Sequence, residues 1–206
     1  MNKIPSVFIR DETNHTYVTE EVNPLAQWVI DGFGTPTRKY DGTCCLLDDD
    51  GKWWARREIK PGKPTPADFR PVGTDDFTGK TMGWVPIGGV QFAKYHAEAL
   101  DTFKGLQPFK PGTYELCGDR INGNPESLIG HVLIPHATAA VIDLPDRSHA
   151  AMRRVLLDLS QSHGWEGVVF HHPDGRMAKL KAKDLRPDDP ALVDVARSIA
   201  GWPRDE

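Results

Sequence analysis

A lysine stands two positions before an Asp-Gly pair in the segment Lys39-Tyr40-Asp41-Gly42-Thr43. Asp-Gly favours a tight reversal of the backbone, and a lysine beside such a turn is normally a solvated charge. The same arrangement fits a lysine nucleophile that attacks a nucleotide phosphate and carries the nucleotide covalently. The second interpretation requires further groups in the chain, and their presence decides between the two.

Such a nucleophile has to be neutral, whereas an ordinary lysine with a pKa of about 10.4 is neutral in roughly one molecule in a thousand near neutral pH. Neighbouring cations lower the pKa of a lysine, and they also neutralise the charge on the phosphates during transfer. A carboxylate is the residue type that holds a divalent metal beside phosphates. Candidates for these tasks are Arg56, Glu166, Lys179 and Lys181.

Two alternating segments around an acidic turn predict a β-hairpin, with strands at Thr43–Leu47 and Trp53–Ile59 and the turn at 48–51. A two-residue loop would put Thr43, Cys45 and Leu47 on one face with Trp54, Arg56 and Glu58. If the extended geometry begins near Lys39, then Lys39 and Arg56 share that face. The alternative is that Arg56 and Arg57 are surface arginines on an edge strand.

A second hairpin is predicted from residues 165–172 and 177–183, which flank the turn sequence 173–176. A two-residue or a four-residue loop would pair His172 with Met177 and Glu166 with Lys183. One face would then carry Glu166, Lys179, Lys181 and Lys183. A surface strand with solvated lysines explains the lysines, but it does not explain a glutamate on the same face near the candidate nucleophile.

A further strand is predicted over residues 112–119, with Glu115 on the face opposite Tyr114 and Leu116. That face is either exposed to solvent or part of a site. A short apolar strand is expected over residues 139–144. Helices are expected over residues 23–30, 91–104, from the cap Ser148 to the stop Gly164, and near 191–200.

The composition fits one globular domain, since the 206 residues include 39% hydrophobic and 26% charged residues. A net charge of −4 excludes a globally basic nucleic-acid binder, so contact with nucleic acid requires a local basic surface. No apolar run reaches the length of a membrane span, and the start lacks the apolar part of a secretory signal. Three cysteines, two of them adjacent, form neither a disulfide framework nor a spaced metal site, and they predict a reducing cytoplasmic location.

Five motifs occur in order: Lys39-x-Asp41-Gly42, Arg56, Tyr114-Glu115-x-x-Gly118, Glu166-Gly167-Val168-Val169 and Lys179-Leu180-Lys181. Together they resemble the covalent nucleotidyltransferase superfamily, which contains ATP-dependent RNA and DNA ligases and mRNA-capping guanylyltransferases. Asn124-Pro125-Glu126 after the Glu115 motif and the run that follows Glu166 are most similar to small RNA ligases that join 5′-phosphate to 3′-hydroxyl ends. The resemblance covers roughly residues 36–184. It implies an α+β nucleotidyltransferase fold (ligase adenylation-domain, ATP-grasp-like), with mainly antiparallel sheets flanked by helices, in one adenylyltransferase domain over residues 1–206.

The resemblance also implies a role for each motif. Lys39 would attack the α-phosphate of ATP, release pyrophosphate and form a lysyl-AMP. The remaining roles would be a sugar or phosphate contact for Arg56, a ribose contact for Glu115, a Mg²⁺ or Mn²⁺ ligand for Glu166, and α-phosphate contacts for Lys179 and Lys181. AMP would then pass to an RNA 5′-phosphate, and a 3′-hydroxyl would displace it.

Two departures from the family pattern bear on this interpretation. An aromatic-Asp pair covers the adenine in relatives, whereas the best match here is Ile142-Asp143, so Ile142 would have to cover the base. No second oligonucleotide-binding domain fits after Lys183, which favours an RNA ligase over a DNA ligase or a GTP-using capping enzyme. A nucleotide-binding or RNA-binding relative without turnover is a further alternative.

The resemblance implies RNA as the partner, and the clustering of basic residues in two places on a chain of net charge −4 suggests phosphate contacts along a strand. One cluster lies at the end of the first predicted hairpin, in a proline-rich loop, and the other lies in and after the second hairpin. Their members are Arg56, Arg57, Lys60 and Lys63 in the first and Arg176, Lys183 and Arg186 in the second.

Overall fold

The computed structural model describes residues 3–76, 78–104 and 109–186, and these form an α+β fold of mainly antiparallel sheets, as expected. The strands are β1 Phe8–Arg10, β2 Val18–Val22, β3 Thr35–Lys39, β4 Thr43–Leu47, β5 Trp53–Ile59, β6 Arg70–Thr74, β7 Thr81–Pro86, β8 Gly112–Gly118, β9 His131–Pro135, β10 Gly167–His171 and β11 Met177–Lys181. The helices are α1 Gln27–Ile30, α2 Ala93–Thr102 and α3 His149–His163. Short 3₁₀ turns occur at Pro24–Ala26, Ile87–Gly89, His136–Thr138 and Ala182–Asp184.

The strands of the described residues form a six-stranded sheet in the order β6-β7-β5-β4-β8-β9, a three-stranded sheet in the order β11-β10-β3, and the pair β1-β2. Neighbouring strands in each sheet run antiparallel. The chain passes from the three-stranded sheet to the six-stranded sheet between β3 and β4, which is where the Lys-x-Asp-Gly segment lies. The candidate nucleophile therefore stands at the junction of the two large sheets.

Each large sheet packs on its own hydrophobic cluster. Phe8, Met152 and Phe170 are fully or almost fully buried in the cluster beneath the three-stranded sheet, which α3 covers. Leu116 and Ala99 belong to the cluster beneath the six-stranded sheet, which α2 covers. Both helices match their predicted positions because their apolar residues recur at helical spacing. Two independent cores of this kind give the strands on either side of the junction a rigid support.

The register predicted for the first hairpin is wrong. Leu47 pairs with Trp53 and Cys45 with Ala55, which leaves a five-residue loop over 48–52. Asp48 stabilises this odd length because its carboxylate accepts the backbone N–H of position 50 at 3.1 Å and of position 52 at 2.8 Å. A loop with an odd number of residues puts the side chains of the second strand on the face opposite to the predicted one, so Arg56 shares its face with Cys44 rather than with Cys45.

The second hairpin differs from its prediction in the same way. His171 pairs with Met177 and Gly167 with Lys181, so the loop over 172–176 also has five residues. Asp174 accepts the N–H of position 176 at 3.0 Å, and the N–H of position 172 donates to the carbonyl of position 176 at 2.9 Å. The predicted Glu166–Lys183 pair is therefore wrong, and Lys183 lies exposed in the 3₁₀ turn after β11.

Residues 139–144 do not form the predicted strand. They lie along β3 and make two backbone hydrogen bonds to it, from Arg38 N to the carbonyl of position 140 at 2.8 Å and from Ile142 N to the carbonyl of position 36 at 3.0 Å. The Pro145 that follows restricts continuation of an extended ladder. The helix predicted near 191–200 lies outside the described residues. Within the described ranges, no helix is both long and apolar enough to cross a membrane.

Candidate active site

Lys39, Gly167 and Lys181 lie in one row across the three-stranded sheet, because Gly167 pairs with Lys39 on β3 and with Lys181 on β11. Glu166 immediately precedes this row. One of its carboxylate oxygens contacts Lys39 Nζ and the other contacts Lys181 Nζ. Lys39 Nζ also donates to the Tyr40 carbonyl at 3.3 Å. Two lysines that are distant in sequence therefore converge on one carboxylate.

The charges around Glu166 are unbalanced towards positive. Burial alone would raise the pKa of Glu166, but the charges and hydrogen bonds of Lys39 and Lys181 outweigh burial and hold this pKa below its ordinary value. Lys179 is a third lysine nearby, and burial together with the positive charges of Lys181 and Lys39 lowers the pKa of Lys179 to about 8. With Lys39 and Lys181 on Glu166 and Lys179 nearby, the excess of positive charge favours a further anion, such as a phosphate.

A glycine is needed directly after Glu166. A Cβ atom at position 167 would lie 2.2 Å from the Leu180 carbonyl oxygen and 2.7 Å from Lys181 Cα. Only a residue without a side chain allows β10 to approach β11 this closely. The Glu166-Gly167 pair in the sequence therefore has a direct structural cause, and it fixes where the glutamate stands relative to Lys181.

The segment after Lys39 is held by two residues to which the sequence interpretation gave no role. Glu126, whose side chain is 3% exposed, pairs with Arg38 at 2.5 Å and accepts the Asp41 N–H at 2.8 Å. Asn122 donates to the Gly42 carbonyl at 2.8 Å and to the Asp41 carboxylate at 3.1 Å. The sequence signal for Glu126 was its place in Asn-Pro-Glu after the Glu115 motif. These contacts immobilise the backbone that carries the nucleophile into β4.

Glu115, on β8, contacts the same segment at Gly42. Its carboxylate accepts the Gly42 N–H at 3.2 Å and contacts His136 Nε2 at 2.9 Å. The other ring nitrogen of His136 lies 3.0 Å from Thr113 Oγ1. A Cβ atom at position 42 would lie 2.3 Å from the Leu116 carbonyl oxygen, so the Asp-Gly glycine is needed for close approach to β8. His136 had no sequence signal because its spacing follows no pattern.

Arg56 on β5 and Glu115 on β8 lie on either side of the strand β4. Glu115 on β8 pairs with Cys44 on β4, and the β4–β5 register sets Arg56 opposite Cys44 on the same face. Within the described residues, the buried Nε of Arg56 has no hydrogen-bond partner. A buried donor without a partner is costly, so this guanidinium is suited to contact a ligand.

A cavity of about 1380 Å³ lies beside these residues, between the two large sheets. Lys39, Glu115 and His136 contribute polar groups to its wall, and the remaining wall is largely apolar. Ile142 was expected to cover a base here, but it packs against the hydrophobic cluster under α3. The adjacent Val141, which is 68% exposed, lines the cavity instead. The alternation of an extended chain explains why neighbouring residues take these two places.

The basic residues predicted to bind RNA divide into two groups. Arg176 pairs with Asp174 at 2.8 Å, and Arg186 contacts Asp11, so both have local acidic partners. Arg56 is half-buried, and the remaining predicted residues are exposed, namely Arg57, Lys60, Lys63 and Lys183. These exposed positions are available for contact with a polyanion.

Comparisons with known proteins point to RNA ligases. A curated protein from Pongo abelii named RNA ligase 1 is 26% identical over an alignment of 222 residues, which covers 73% of this chain and 66% of that protein. A protein of the same name from Danio rerio is 25% identical over 261 residues, which covers 89% of this chain and 80% of that protein. No protein-family model matches the chain. The two matches support an RNA ligase family relationship for this chain.

Proposed function

From this relationship to RNA ligases, we propose that the protein is an ATP-dependent RNA ligase that joins 5′-phosphate to 3′-hydroxyl ends through a covalent lysyl-AMP on Lys39. The observation that carries the proposal is the convergence of Lys39 and Lys181 on Glu166, with Lys179 nearby, beside a large cavity. The Lys39 side chain is only 21% exposed and pairs with a buried carboxylate, whereas the side chain of a solvated surface lysine would be mostly exposed.

The cavity is large enough for the nucleoside of ATP, because its volume of about 1380 Å³ exceeds that of typical small-molecule sites. Glu115 offers carboxylate oxygens that accept hydrogen bonds from ribose hydroxyls. Arg56 offers a buried donor, unpaired among the residues that the structure describes, for the sugar or a phosphate. The α-phosphate would then bind among the lysines around Glu166, and their excess positive charge would stabilise it.

In the first step, the lone pair of Lys39 Nζ attacks the α-phosphorus of ATP. A nitrogen–phosphorus bond forms, the bond between the α-phosphorus and its bridging oxygen breaks, and pyrophosphate leaves. Lys39 Nζ gives one proton to solvent to free its lone pair for the attack, and it loses a second proton as the nitrogen–phosphorus bond forms. The carboxylate of Glu166, which contacts Nζ, can accept this second proton and pass it to solvent. Lys179 and Lys181 stabilise the charge that develops on the phosphate oxygens.

Mg²⁺ or Mn²⁺ suits this site because the donors would be hard oxygens, from the Glu166 carboxylate and from ATP. Such an ion would supply charge neutralisation on the phosphates when bound. The chain's own contribution is to hold Glu166 between Lys39 and Lys181, with its side chain only 6% exposed. Glu166→Gln should therefore lower adenylylation strongly while the fold is retained.

The later steps need RNA. The 5′-phosphate of the RNA attacks the phosphorus of the lysyl-AMP and releases the Lys39 amine, which gives an RNA end capped with AMP. The 3′-hydroxyl of the other end then attacks the RNA phosphate, forms the phosphodiester bond and expels AMP. The exposed residues Arg57, Lys60 and Lys63 would contact the RNA backbone, which makes joining sensitive to salt.

Joining of a nicked RNA hairpin with a 5′-phosphate, compared with its DNA counterpart, tests this function. We expect joining of RNA with ATP and Mg²⁺, and weaker joining with DNA or GTP. A double Lys60→Glu and Lys63→Glu variant should lower RNA joining but leave lysyl-AMP formation intact. Lys52→Glu is the matched control, because this exposed lysine lies at the opposite end of β5 from Lys60. Preferential joining of DNA, or adenylylation that requires GTP, would contradict the proposal.

A further inference from the structure

Three potential metal ligands from three separate elements meet beside the nucleotide cavity. Cys44 lies on β4, Glu115 lies opposite it on β8, and His136 begins the 3₁₀ turn after β9. One ligand atom from each, namely the thiol sulfur, a carboxylate oxygen and an imidazole nitrogen, lies within 4.8 Å of the other two. The spacing of these residues along the chain resembles no metal-binding pattern, so the cluster is a product of the fold.

The donor types determine which ion would fit. Thiolate, imidazole and carboxylate together are the ligands of zinc, whereas Mg²⁺ and Ca²⁺ prefer oxygen donors alone. Zinc bonds of about 2.0–2.3 Å separate tetrahedral ligand atoms by roughly 3.3–3.8 Å. The Cys44 sulfur would therefore need to approach the other two ligand atoms by at most about 1.5 Å, through rotation of its side chain, while the Glu115 oxygen and His136 Nε2, now 2.9 Å apart, would need to separate by a few tenths of an ångström.

The surroundings of the cluster already orient two of the ligands. Thr113 Oγ1 lies 3.0 Å from His136 Nδ1, and this contact leaves Nε2 directed at Glu115. A second contact on the remote nitrogen of a histidine is the usual device that fixes a metal-binding imidazole. The Gly42 N–H binds one oxygen of Glu115 and leaves the other for the cluster. Three protein ligands leave one coordination position open.

We propose that Cys44, Glu115 and His136 form a site for a borderline-soft divalent cation such as Zn²⁺, and that this cation inhibits adenylylation by occupying Glu115. The Cys44 thiol gives its proton to solvent as the sulfur–metal bond forms. The inhibitory part rests on the proposed function, because there Glu115 is the ribose contact and cannot hold the metal at the same time. Zn²⁺ and ATP should then weaken each other's binding by the same factor.

Metal binding is tested with the 206-residue chain and Co²⁺ as the spectroscopic probe, followed by displacement with Zn²⁺. We expect a near-ultraviolet sulfur-to-cobalt absorption at one equivalent, which Zn²⁺ abolishes. Cys44→Ser should remove the absorption, and His136→Ala should weaken Co²⁺ binding at least tenfold. Cys117→Ser is the matched control, since this buried cysteine lies on β8 outside the cluster and should retain the absorption. Absorption that persists in Cys44→Ser, or disappears equally in folded Cys117→Ser, overturns the site.

Inhibition is tested by lysyl-AMP formation in the presence of Mg²⁺, with and without Zn²⁺. Wild type should lose adenylylation at Zn²⁺ concentrations that saturate the Co²⁺-competition assay, and Cys44→Ser should be at least tenfold less sensitive. Equal sensitivity of the two proteins overturns the inhibitory role. A cobalt signal without any lysyl-AMP in zinc-free buffer would refute the proposed function alone, whereas lysyl-AMP without a cobalt signal would refute the metal site alone.

Discussion

Removing the carboxylate of Glu126 should slow adenylylation without weakening ATP binding. Its buried side chain holds Arg38 at 2.5 Å and the Asp41 N–H at 2.8 Å, and it does not line the cavity. Glu126→Ala leaves the Arg38 guanidinium without its buried partner, which costs about 3–5 kcal/mol. Glu126→Gln keeps the shape and an acceptor for Asp41 but loses the charge, at about 1.5–3 kcal/mol.

The cost for Glu126→Gln should lie at the lower end of this range. Arg38 lies over the Tyr40 ring at 4.6 Å and over the Trp165 ring at 4.8 Å, and these contacts keep the guanidinium in place when the carboxylate is lost. A chain of this length loses about 2–4 °C of melting temperature per kcal/mol. Glu126→Ala should therefore melt roughly 6–20 °C below wild type and Glu126→Gln about 3–6 °C below it.

The assay combines thermal unfolding with the rate of lysyl-AMP formation at a temperature where each variant is folded. We expect Glu126→Gln to lower the maximal rate at least tenfold, with the KM for ATP within about twofold of wild type. Asp48→Asn is the control, since Asp48 likewise accepts a backbone N–H, at 2.8 Å, and pairs with an arginine, at 3.6 Å, but does so at the far end of β4. A rate for Glu126→Gln that equals the rate for Asp48→Asn would refute the positioning role.

Three further predictions concern pH and backbone approach. Burial and two neighbouring lysines lower the pKa of Lys179 to about 8, so Lys179 loses its charge above pH 8 whereas an arginine would keep it. The rate constant of Lys179→Arg divided by that of wild type should therefore rise about tenfold per pH unit above 8, and parallel pH profiles would contradict this. Burial lowers the pKa of His96 from 6.5 to about 4, so the unfolded chain binds more protons at this residue between these values. His96 should therefore contribute on the order of 3 kcal/mol to the loss of stability as pH drops from 6.5 to 4, and denaturant titrations of His96→Gln should show a fall that is smaller by about this amount. Gly167→Ala should destabilise the fold by about 1–3 kcal/mol, because its Cβ would lie 2.2 Å from the Leu180 carbonyl oxygen, whereas Gly88→Ala, with open space around it, should melt close to wild type.

The sequence predicted elements well where apolar residues recur with a regular period. Both long helices and the strands of the two hairpins occur where alternation and end signals placed them. Register was not predictable in the same way, because it depends on loop length. Asp48 and Asp174 each stabilise a five-residue loop through local hydrogen bonds, and this odd length reverses the facing of every residue that follows.

The sequence likewise predicted some residues of the candidate site and missed others. The order of the motifs predicted Lys39, Glu166 and Lys181 as site residues, and these three side chains are in contact around Glu166. Glu126 and His136 take part through the fold of the segments between motifs, where spacing follows no period. Asn-Pro-Glu after the Glu115 motif was a sequence signal for Glu126, but the contacts of both residues depend on how β8 and β9 approach β4, and spacing does not predict that tertiary arrangement.

The most direct test of the central claim is the intact mass of the protein after incubation with ATP and Mg²⁺, followed by peptide mapping. We predict one covalent AMP on Lys39 in wild type and none in Lys39→Ala or Lys39→Arg. Lys181→Ala, which removes the other lysine on Glu166 but leaves the nucleophile, should form the same adduct more slowly. An adduct that survives the loss of Lys39, or a folded wild-type protein that forms none, would contradict the account.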